Sequence, residues 1–296
     1  MASHRNRTSA EGRGRRTGPR WLLPAVALAV IAVTAVILLR PGASTEPVAW
    51  TRFDTQDVHS LAFVGDDAQR VLFGHHGGLY ESTDAGRTWS SMPLRDDAMS
   101  MAPAGDGSIV IAGHEVFTAS ADGGATWTPV VTDLPSLDIH GLTRDPADPA
   151  HMWAQLATGG LWESWDSGAH FTRVREDNVL FPTAIRQGES TRLLGVDTNG
   201  FVGSDDGGRT WTSLSLPDFG PLTSLVATPD GRVVFAGSPT GVFRSEDGGR
   251  TWTATAYQGS AFAIATTADG RTVGVVSRET DFFRSNDGGA TWPGPD

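Results

Sequence analysis

The sequence predicts an all-β protein, a six-bladed β-propeller preceded by one N-terminal transmembrane helix. Three observations support this prediction. One turn motif occurs six times between residues 82 and 292, its copies are about forty residues apart, and the segments between copies are short and alternate apolar with polar residues. A period near forty residues built from short alternating strands is typical of propeller blades, each made of four strands.

The repeated motif reads Ser-x-Asp-x-Gly-x-Thr-Trp, and the third copy ends in His170-Phe171 where the others have Thr-Trp. An aspartate accepts hydrogen bonds from backbone amides just downstream, and glycine takes a positive φ without steric cost. We therefore expect each copy to be a structural turn, not a calcium site, since the spacing of an EF-hand loop is absent. The motif aspartates, 38 to 44 residues apart, are Asp84, Asp122, Asp166, Asp206, Asp247 and Asp287.

The first 39 residues predict a membrane anchor. Residues 1–20 form a basic tail with six arginines against Glu11, and residues 21–39 contain no charged side chain. Nineteen such residues are enough to span a bilayer as a helix. Because basic flanks stay on the cytoplasmic side, the tail is predicted to be cytoplasmic and the remainder extracytoplasmic, in a single-pass protein of the plasma membrane.

A cleaved signal peptide is the alternative interpretation of this segment. Small residues follow it at Gly42, Ala43 and Ser44, as a cleavage site requires, but Arg40 and Pro41 intervene. Both interpretations export the C-terminal domain. The chain contains no cysteine, so disulfides cannot contribute to its stability.

Residues 40–48 read as a linker, and residues 49–296 as the propeller. Residues 48–54 resemble the strands that follow the motif copies, although no copy precedes them. The last copy is followed at once by Pro293, which pairs poorly in a sheet. We therefore predict that residues 48–54 supply the outer strand of the last blade and close the ring. The first blade is predicted to contain strands at 59–64, 70–74, 78–82 and 88–92.

The net charge argues against nucleic acid as a partner. The whole chain carries −11. Seven of its 23 basic and one of its 34 acidic residues precede residue 41, which leaves 16 basic and 33 acidic residues, or −17, for residues 41–296. So acidic a domain would repel a phosphate backbone.

Several histidines are predicted to lie on the propeller face opposite the motif turns. The motif turns join third to fourth strands, so the other face carries the start of each first strand and the turn between the second and third. Five histidines of blades 1 to 3 fall at such positions, and Met99 occupies the corresponding position in blade 2. This predicted ligand-binding set is His59, His75, His76, His114, His140 and Met99.

Two chemical interpretations of this set favour a function, and a third does not. The histidines form a polar ligand pocket, or His59, His76, His114 and His140 bind a transition metal with Asp57, Glu115 and Asp138 nearby. A thioether from Met99 would favour copper over zinc. The third interpretation is that the histidines only cap strands or satisfy backbone groups. Among cofactors, the sequence therefore suggests copper or zinc alone.

The motif copies resemble the Asp-box, or BNR, repeats shared by bacterial sialidases, xyloglucan-cleaving glycosidases, the sortilin luminal domain and a photosystem assembly factor. The resemblance covers residues 49–296. It implies a propeller whose boxes hold its hairpins together, and it leaves activity open, because the group mixes enzymes with receptors and assembly factors.

The sialidase pattern implied by the resemblance is incomplete in this chain. That pattern has an early Phe-Arg-Ile-Pro-type motif, which is missing, and a Tyr–Glu pair, whereas Tyr80 lies two residues before a box. Its three-arginine clamp has no counterpart in the spacing of the arginines expected on the other face, which are Arg95, Arg144, Arg186 and Arg278. We therefore predict a binding or scaffold module for an envelope protein or carbohydrate, with unknown catalytic residues; the alternative is a sialidase-like glycoside hydrolase.

Overall fold

Six four-stranded antiparallel sheets make up the part of the chain that the computed structural model describes, residues 46–65, 68–214 and 220–295. These residues contain 24 strands and no helix. Each inner strand contacts the inner strands of both neighbouring blades, so the sheets form a closed ring. The six-bladed all-β prediction is confirmed.

Each blade runs from an inner to an outer strand. The inner strands are β2 (Ser60–Phe63), β6 (Ser100–Pro103), β10 (Ile139–Arg144), β14 (Leu180–Gln187), β18 (Ser224–Ala227) and β22 (Ala263–Thr266). The second strands are β3 (Val71–His75), β7 (Ile109–Gly113), β11 (Met152–Leu156), β15 (Ser190–Asp197), β19 (Val234–Gly237) and β23 (Val273–Val276). The third strands are β4 (Gly78–Ser82), β8 (Val116–Ser120), β12 (Leu161–Ser164), β16 (Gly200–Ser204), β20 (Gly241–Ser245) and β24 (Asp281–Ser285). The outer strands are β5 (Ser90–Ser91), β9 (Thr128–Pro129), β13 (Thr172–Arg175), β17 (Thr212–Ser213), β21 (Thr253–Gln258) and β1 (Thr51–Arg52).

The ring closes through β1, as the sequence predicts. This strand pairs with β24 in the register Thr51 to Phe282 and Arg52 to Asp281. Next to it, the Phe53 amide donates to the Thr280 carbonyl at 2.9 Å. The first and last described strands thus share one blade, and the described part of the ring has no open junction between blades 6 and 1.

Apolar side chains fill each junction between neighbouring blades. In β3, Val71 and Phe73 pack toward blade 6, whereas Leu72 packs toward Ile109 and Ile111 of blade 2. Successive residues of a strand point to opposite faces of its sheet. A second strand that is buried on both faces therefore reads as an unbroken apolar run, and it supplies both junctions of its blade.

All six boxes form the expected hydrogen-bonded turn. In the first, the Thr88 amide and hydroxyl donate to Asp84 at 2.8 and 2.6 Å, and the Gly86 amide donates to Ser82 Oγ at 2.8 Å. The third box closes in the same way with a different residue, because His170 Nδ1 lies 2.7 Å from Asp166 Oδ2. The boxes thus use their polar groups internally.

The boxes should make stability sensitive to acid. Bonds from Thr88 and Thr126 lower the pKa of Asp84 and Asp122 from 3.8 to about 2. A carboxyl whose pKa is lower in the folded state adds stability that is complete above about pH 4 and is lost as the pH falls through about 2. We expect Asp84→Asn to lower the melting temperature at pH 6 and to flatten its fall between pH 4 and 2. Asp54→Asn, at an exposed aspartate outside the boxes, is the control; equal pH profiles for the two variants would contradict this expectation.

The predicted basic tail and membrane anchor, residues 1–20 and 21–39, lie outside the described residues. Among the residues that are described, none belongs to a helix with the length and hydropathy needed to cross a bilayer.

Candidate functional site

Seven side chains from blades 1 to 3 meet on the face opposite the boxes. Their positions are equivalent from blade to blade, because each residue either precedes or opens an inner strand or lies in the turn between the second and third strands. Together they form three overlapping groups whose nitrogen and oxygen atoms lie within 4.8 Å of one another. We call this set the His–Asp arc; it consists of Asp57, His59, His76, Asp97, His114, Asp138 and His140.

The blade 1 end of the arc brings two imidazoles and a carboxylate together. His59 Nε2 lies 2.9 Å from His76 Nδ1 and 3.3 Å from His76 Nε2. Asp57 accepts a hydrogen bond from the His76 amide at 3.0 Å, and its other oxygen lies 2.9 Å from His76 Nδ1. The carboxylate therefore holds both the backbone and the ring of His76.

Asp97 is the centre of the arc. Its Oδ2 accepts from the His114 amide at 3.0 Å and lies 2.6 Å from His114 Nδ1. Its Oδ1 lies 3.8 Å from His59 Nε2 and has no hydrogen-bond partner, although the residue is only 8 % exposed. One carboxylate thus links the histidines of blade 1 to those of blade 2 with one oxygen still free.

At the blade 3 end of the arc, a carboxylate again lies between two imidazoles. Asp138 Oδ1 lies 3.6 Å from His114 Nε2 and 3.0 Å from His140 Nε2. The His76 and His114 rings are stacked with centroids 5.6 Å apart. Imidazole and carboxylate alternate along most of the arc, so a cation at either end would meet both ligand types.

Burial and neighbouring charge shift the ionisation of the blade 1 end. Burial lowers the pKa of His59, and His76 lowers it further, against opposing effects of Asp97 and Asp57. For Asp57, burial raises the pKa, but the hydrogen bonds from the His76 amide and ring outweigh it and the net pKa is lowered. A neutral imidazole beside an ionised carboxylate is the state that binds cations.

The arc borders one end of a central channel. The six inner strands line a cavity of about 530 Å³, and His59, Met99 and His140 belong to its wall. The channel wall also includes apolar residues, among them Leu61, Phe181 and Ile264. A ligand at this mouth would meet the arc on one side and a mixed polar and apolar channel below.

His75 and Glu115 do not belong to the arc. The His75 ring stacks on Tyr80 with centroids 5.0 Å apart, and its Nδ1 lies 3.3 Å from Thr55 Oγ1. Burial lowers the pKa of His75. Glu115 belongs to none of the three groups that the described His, Asp and Glu side chains form. The arc therefore contains four of the five predicted histidines and two of the three carboxylates expected near them.

Asp97 is the residue of the arc that the sequence analysis missed. A signal for it exists: Asp57 and Asp138 stand two residues before His59 and His140, and Asp97 stands two residues before Met99. The aspartate recurs in blade 2 where the histidine does not. Aligning the blades by strand register would have identified Asp97, provided that the residue two places after the aspartate was allowed to be of any type.

Two arginines lie on the box face, so their expected placement opposite the boxes is wrong. Arg144 ends β10 and donates to the Pro149 carbonyl, and Arg186 lines a cavity of about 250 Å³ together with the box residue Asp247. Both stand near the ends of inner strands, which lie on the opposite face from the starts of those strands. A clamp of arginines around the arc therefore cannot include them.

A second cluster of ionisable side chains, around His151 on the box face, pairs its charged groups with one another. His151 is buried and lies 3.1 Å from Glu163 and 3.6 Å from Asp145. Glu163 also forms an ion pair with Arg209 at 2.6 Å. Burial raises the pKa of Glu163, but the bonds from His151 and Arg209 outweigh it and lower the net pKa. These groups join blades 3 and 4, which gives this cluster a structural role.

Comparison with known proteins supports the fold and gives a distant link to glycosidases. No protein-family model matches the chain. A xyloglucanase from a Paenibacillus species is 24 % identical over 208 residues, which are 62 % of this chain and 20 % of that protein. The chain thus spans about one fifth of that relative's length.

Solved structures of two kinds are similar to the chain. The GH74 xyloglucanase from Xanthomonas campestris aligns over 83 % of this chain and 46 % of its own, with 15 % identity and a TM-score of 0.57. YCF48 from Cyanidioschyzon merolae aligns over 83 % and 88 %, with 16 % identity and a TM-score of 0.50; YCF48 bound to a D1 peptide aligns over 82 % of both chains, with 19 % identity and the same score. At these identities the likeness shows the propeller fold alone, and it confirms the resemblance to Asp-box propellers at that level.

Proposed function

We propose that this chain is a membrane-anchored, extracytoplasmic binding module that takes its ligand on the face carrying the His–Asp arc. The observation that carries the proposal is the contrast between the two faces. The box turns use their polar groups internally, whereas the arc gathers seven ionisable side chains of three blades at the mouth of the channel. Ligand sites in proteins are concave and combine apolar walls with a few placed polar groups.

The expected partner is an envelope protein or carbohydrate. Peptide binding by a structurally similar propeller, YCF48, supports the first, and the distant xyloglucanase relative supports the second. Only the sequence pattern supports the anchor at residues 21–39 and the orientation that it implies. They place the arc outside the membrane, where such partners are found.

Glycoside hydrolysis is the second candidate, favoured by the xyloglucanase relative. A glycosidase needs a carboxylic acid whose pKa is raised, opposite a second carboxylate. The arc does not show this pattern at Asp57, because the hydrogen bonds with His76 lower its pKa. Asp97 and Asp138 are likewise in contact with imidazoles, at 2.6 and 3.0 Å. Carboxylates that imidazoles hold in this way favour binding over acid catalysis.

Site-specific photo-crosslinking of the full-length chain in its native membrane tests the binding face. A benzophenone side chain replaces His140, 38 % exposed in the arc, or His170, 77 % exposed in a box. We expect a discrete crosslinked product from position 140 and none from position 170. Products from position 170 alone, or equal products from both, would contradict the proposal.

Hydrolysis is tested in parallel with purified full-length protein. Xyloglucan, aryl glycosides and sialosides are the substrates, and we expect no turnover above a buffer control. Turnover that Asp138→Asn abolishes, while Asp54→Asn leaves it intact, would establish the glycosidase alternative and overturn the binding proposal.

A further inference from the structure

We propose that the blade 1 end of the His–Asp arc binds one divalent transition-metal ion through His59, His76, Asp57 and Asp97. This inference rests on the proposed function, because the ion would occupy the same arc. It gives that binding face a first ligand of defined chemistry.

The distances measured from His59 fit a tetrahedral ion. Bonds of about 2.0–2.2 Å to nitrogen and oxygen place tetrahedral ligand atoms about 3.3–3.6 Å apart. His59 Nε2 lies 3.3 Å from His76 Nε2, 3.8 Å from Asp57 Oδ1 and 3.8 Å from Asp97 Oδ1. The spacings from His59 Nε2 to the other three donors are therefore within a few tenths of an ångström of the ideal, and Asp57, His59 and His76 form one group whose ligand atoms lie within 4.8 Å of one another.

The free oxygen of Asp97 is an independent sign of a cation. A buried polar atom without a partner costs free energy, and a buried carboxylate more than a neutral group. Asp97 is 92 % buried, and its Oδ1 is one of few buried side-chain atoms without a hydrogen bond among the described residues. A metal ion beside His59 would satisfy this oxygen and neutralise the charge that Asp57 and Asp97 bring to the site.

The other oxygen of Asp97 orients His114 for a second, weaker metal-binding position. It lies 2.6 Å from His114 Nδ1, and a histidine that donates one ring N–H to a carboxylate presents its other nitrogen to a metal. His114 Nε2 faces Asp138 at 3.6 Å, with His140 next to it. These three side chains are 38 to 46 % exposed, and they should bind an ion less tightly than the blade 1 end, where His59 and Asp97 are 14 and 8 % exposed.

The donor set suits zinc and copper(II). Imidazole with carboxylate is a borderline set that binds both, and copper binds such sites more tightly along the divalent series. Met99 lines the same channel as His59, yet the four proposed donors are nitrogen and oxygen atoms. A thioether is therefore not needed for the ion, and Zn²⁺ is the appropriate probe.

Calorimetric titration of Zn²⁺ into chelator-treated full-length protein, expressed without a histidine tag, tests the proposal. We expect one tight site, with a weaker second one. His59→Ala should weaken the tight site at least about 100-fold, and Asp97→Asn should weaken it at least about 10-fold. Because Asp97 is buried, the half-exposed His76→Ala is a second variant that should lose affinity while its metal-free melting temperature stays near that of the wild type.

Two control variants test whether the ion binds at the arc. His75→Ala removes the adjacent imidazole, which stacks on Tyr80 outside the arc, and His170→Ala removes an exposed imidazole of a box. Both should bind Zn²⁺ as the wild type does. No saturable binding by the wild type, or equal losses in the controls, would overturn the metal site. A crosslink at position 140 without zinc binding would refute the metal site and leave the binding function standing.

Discussion

Replacing Phe53 by alanine is expected to lower the free energy of unfolding by about 3–5 kcal/mol, the range for loss of a buried phenylalanine. Phe53 is only 5 % exposed and lies just beyond the closing strand β1. Its ring stacks on Phe73 of blade 1 with centroids 4.2 Å apart and meets Trp89 edge-on at 4.9 Å. The Phe53 amide donates to the Thr280 carbonyl of blade 6, and the Thr280 hydroxyl donates back to the Phe53 carbonyl, both at 2.9 Å.

Phe53 therefore joins the first and last blades, and its loss should both open a cavity and loosen the closure of the ring. Urea unfolding of the purified chain measures the effect. Phe283→Ala, at a partly exposed phenylalanine of β24, is the matched control and should cost clearly less. Equal losses in the two variants would show that closure does not depend on Phe53.

Gly160→Ala is expected to destabilise the fold by about 3 kcal/mol or more, because it combines backbone strain with a collision. Gly160 has a φ of +81°, and an added Cβ would lie 2.0 Å from the Arg175 carbonyl oxygen and 2.6 Å from that of Glu176. These are backbone atoms at the end of the outer strand of blade 3, β13. They cannot move away without disturbing the pairing of β12 with β13.

Gly200 provides a control that separates the two effects. It stands at the corresponding turn of blade 4 with a φ of +104°, and an added Cβ would meet nothing within 4 Å. Gly200→Ala should cost only the conformational strain, about 1–2 kcal/mol. Thermal unfolding of both variants checks the difference. Equal melting temperatures would mean that the close carbonyl oxygens of blade 3 move freely.

The repeat in the sequence predicts most of the fold, because each box marks the same turn in every blade. The closing strand was also predictable, since Pro293 leaves the last blade without an outer strand and residues 48–54 have the right pattern. Strand ends were less accurate: the predicted strand at 88–92 extends only over Ser90–Ser91. The box residues at the start of this predicted strand, such as Trp89, belong to the turn instead.

The candidate site was predictable in position but not in detail. Register places His59, His76, His114 and His140 on one face, since equivalent residues of every blade lie at the same height. Whether side chains of different blades converge depends on rotamers and on the angle between blades, which spacing does not contain. His75 illustrates this, because it ends β3 and its ring packs on Tyr80 while His76, the next residue, points into the arc.

The most direct test of the account is a crystal structure of the chain with Zn²⁺, phased with anomalous data collected at the zinc edge. We expect the strongest anomalous peak on the face opposite the boxes, within bonding distance of His59, His76, Asp57 and Asp97. Peaks confined to box residues such as His170 or to contacts between molecules in the lattice, with the arc side chains still hydrogen-bonded to one another, would contradict it.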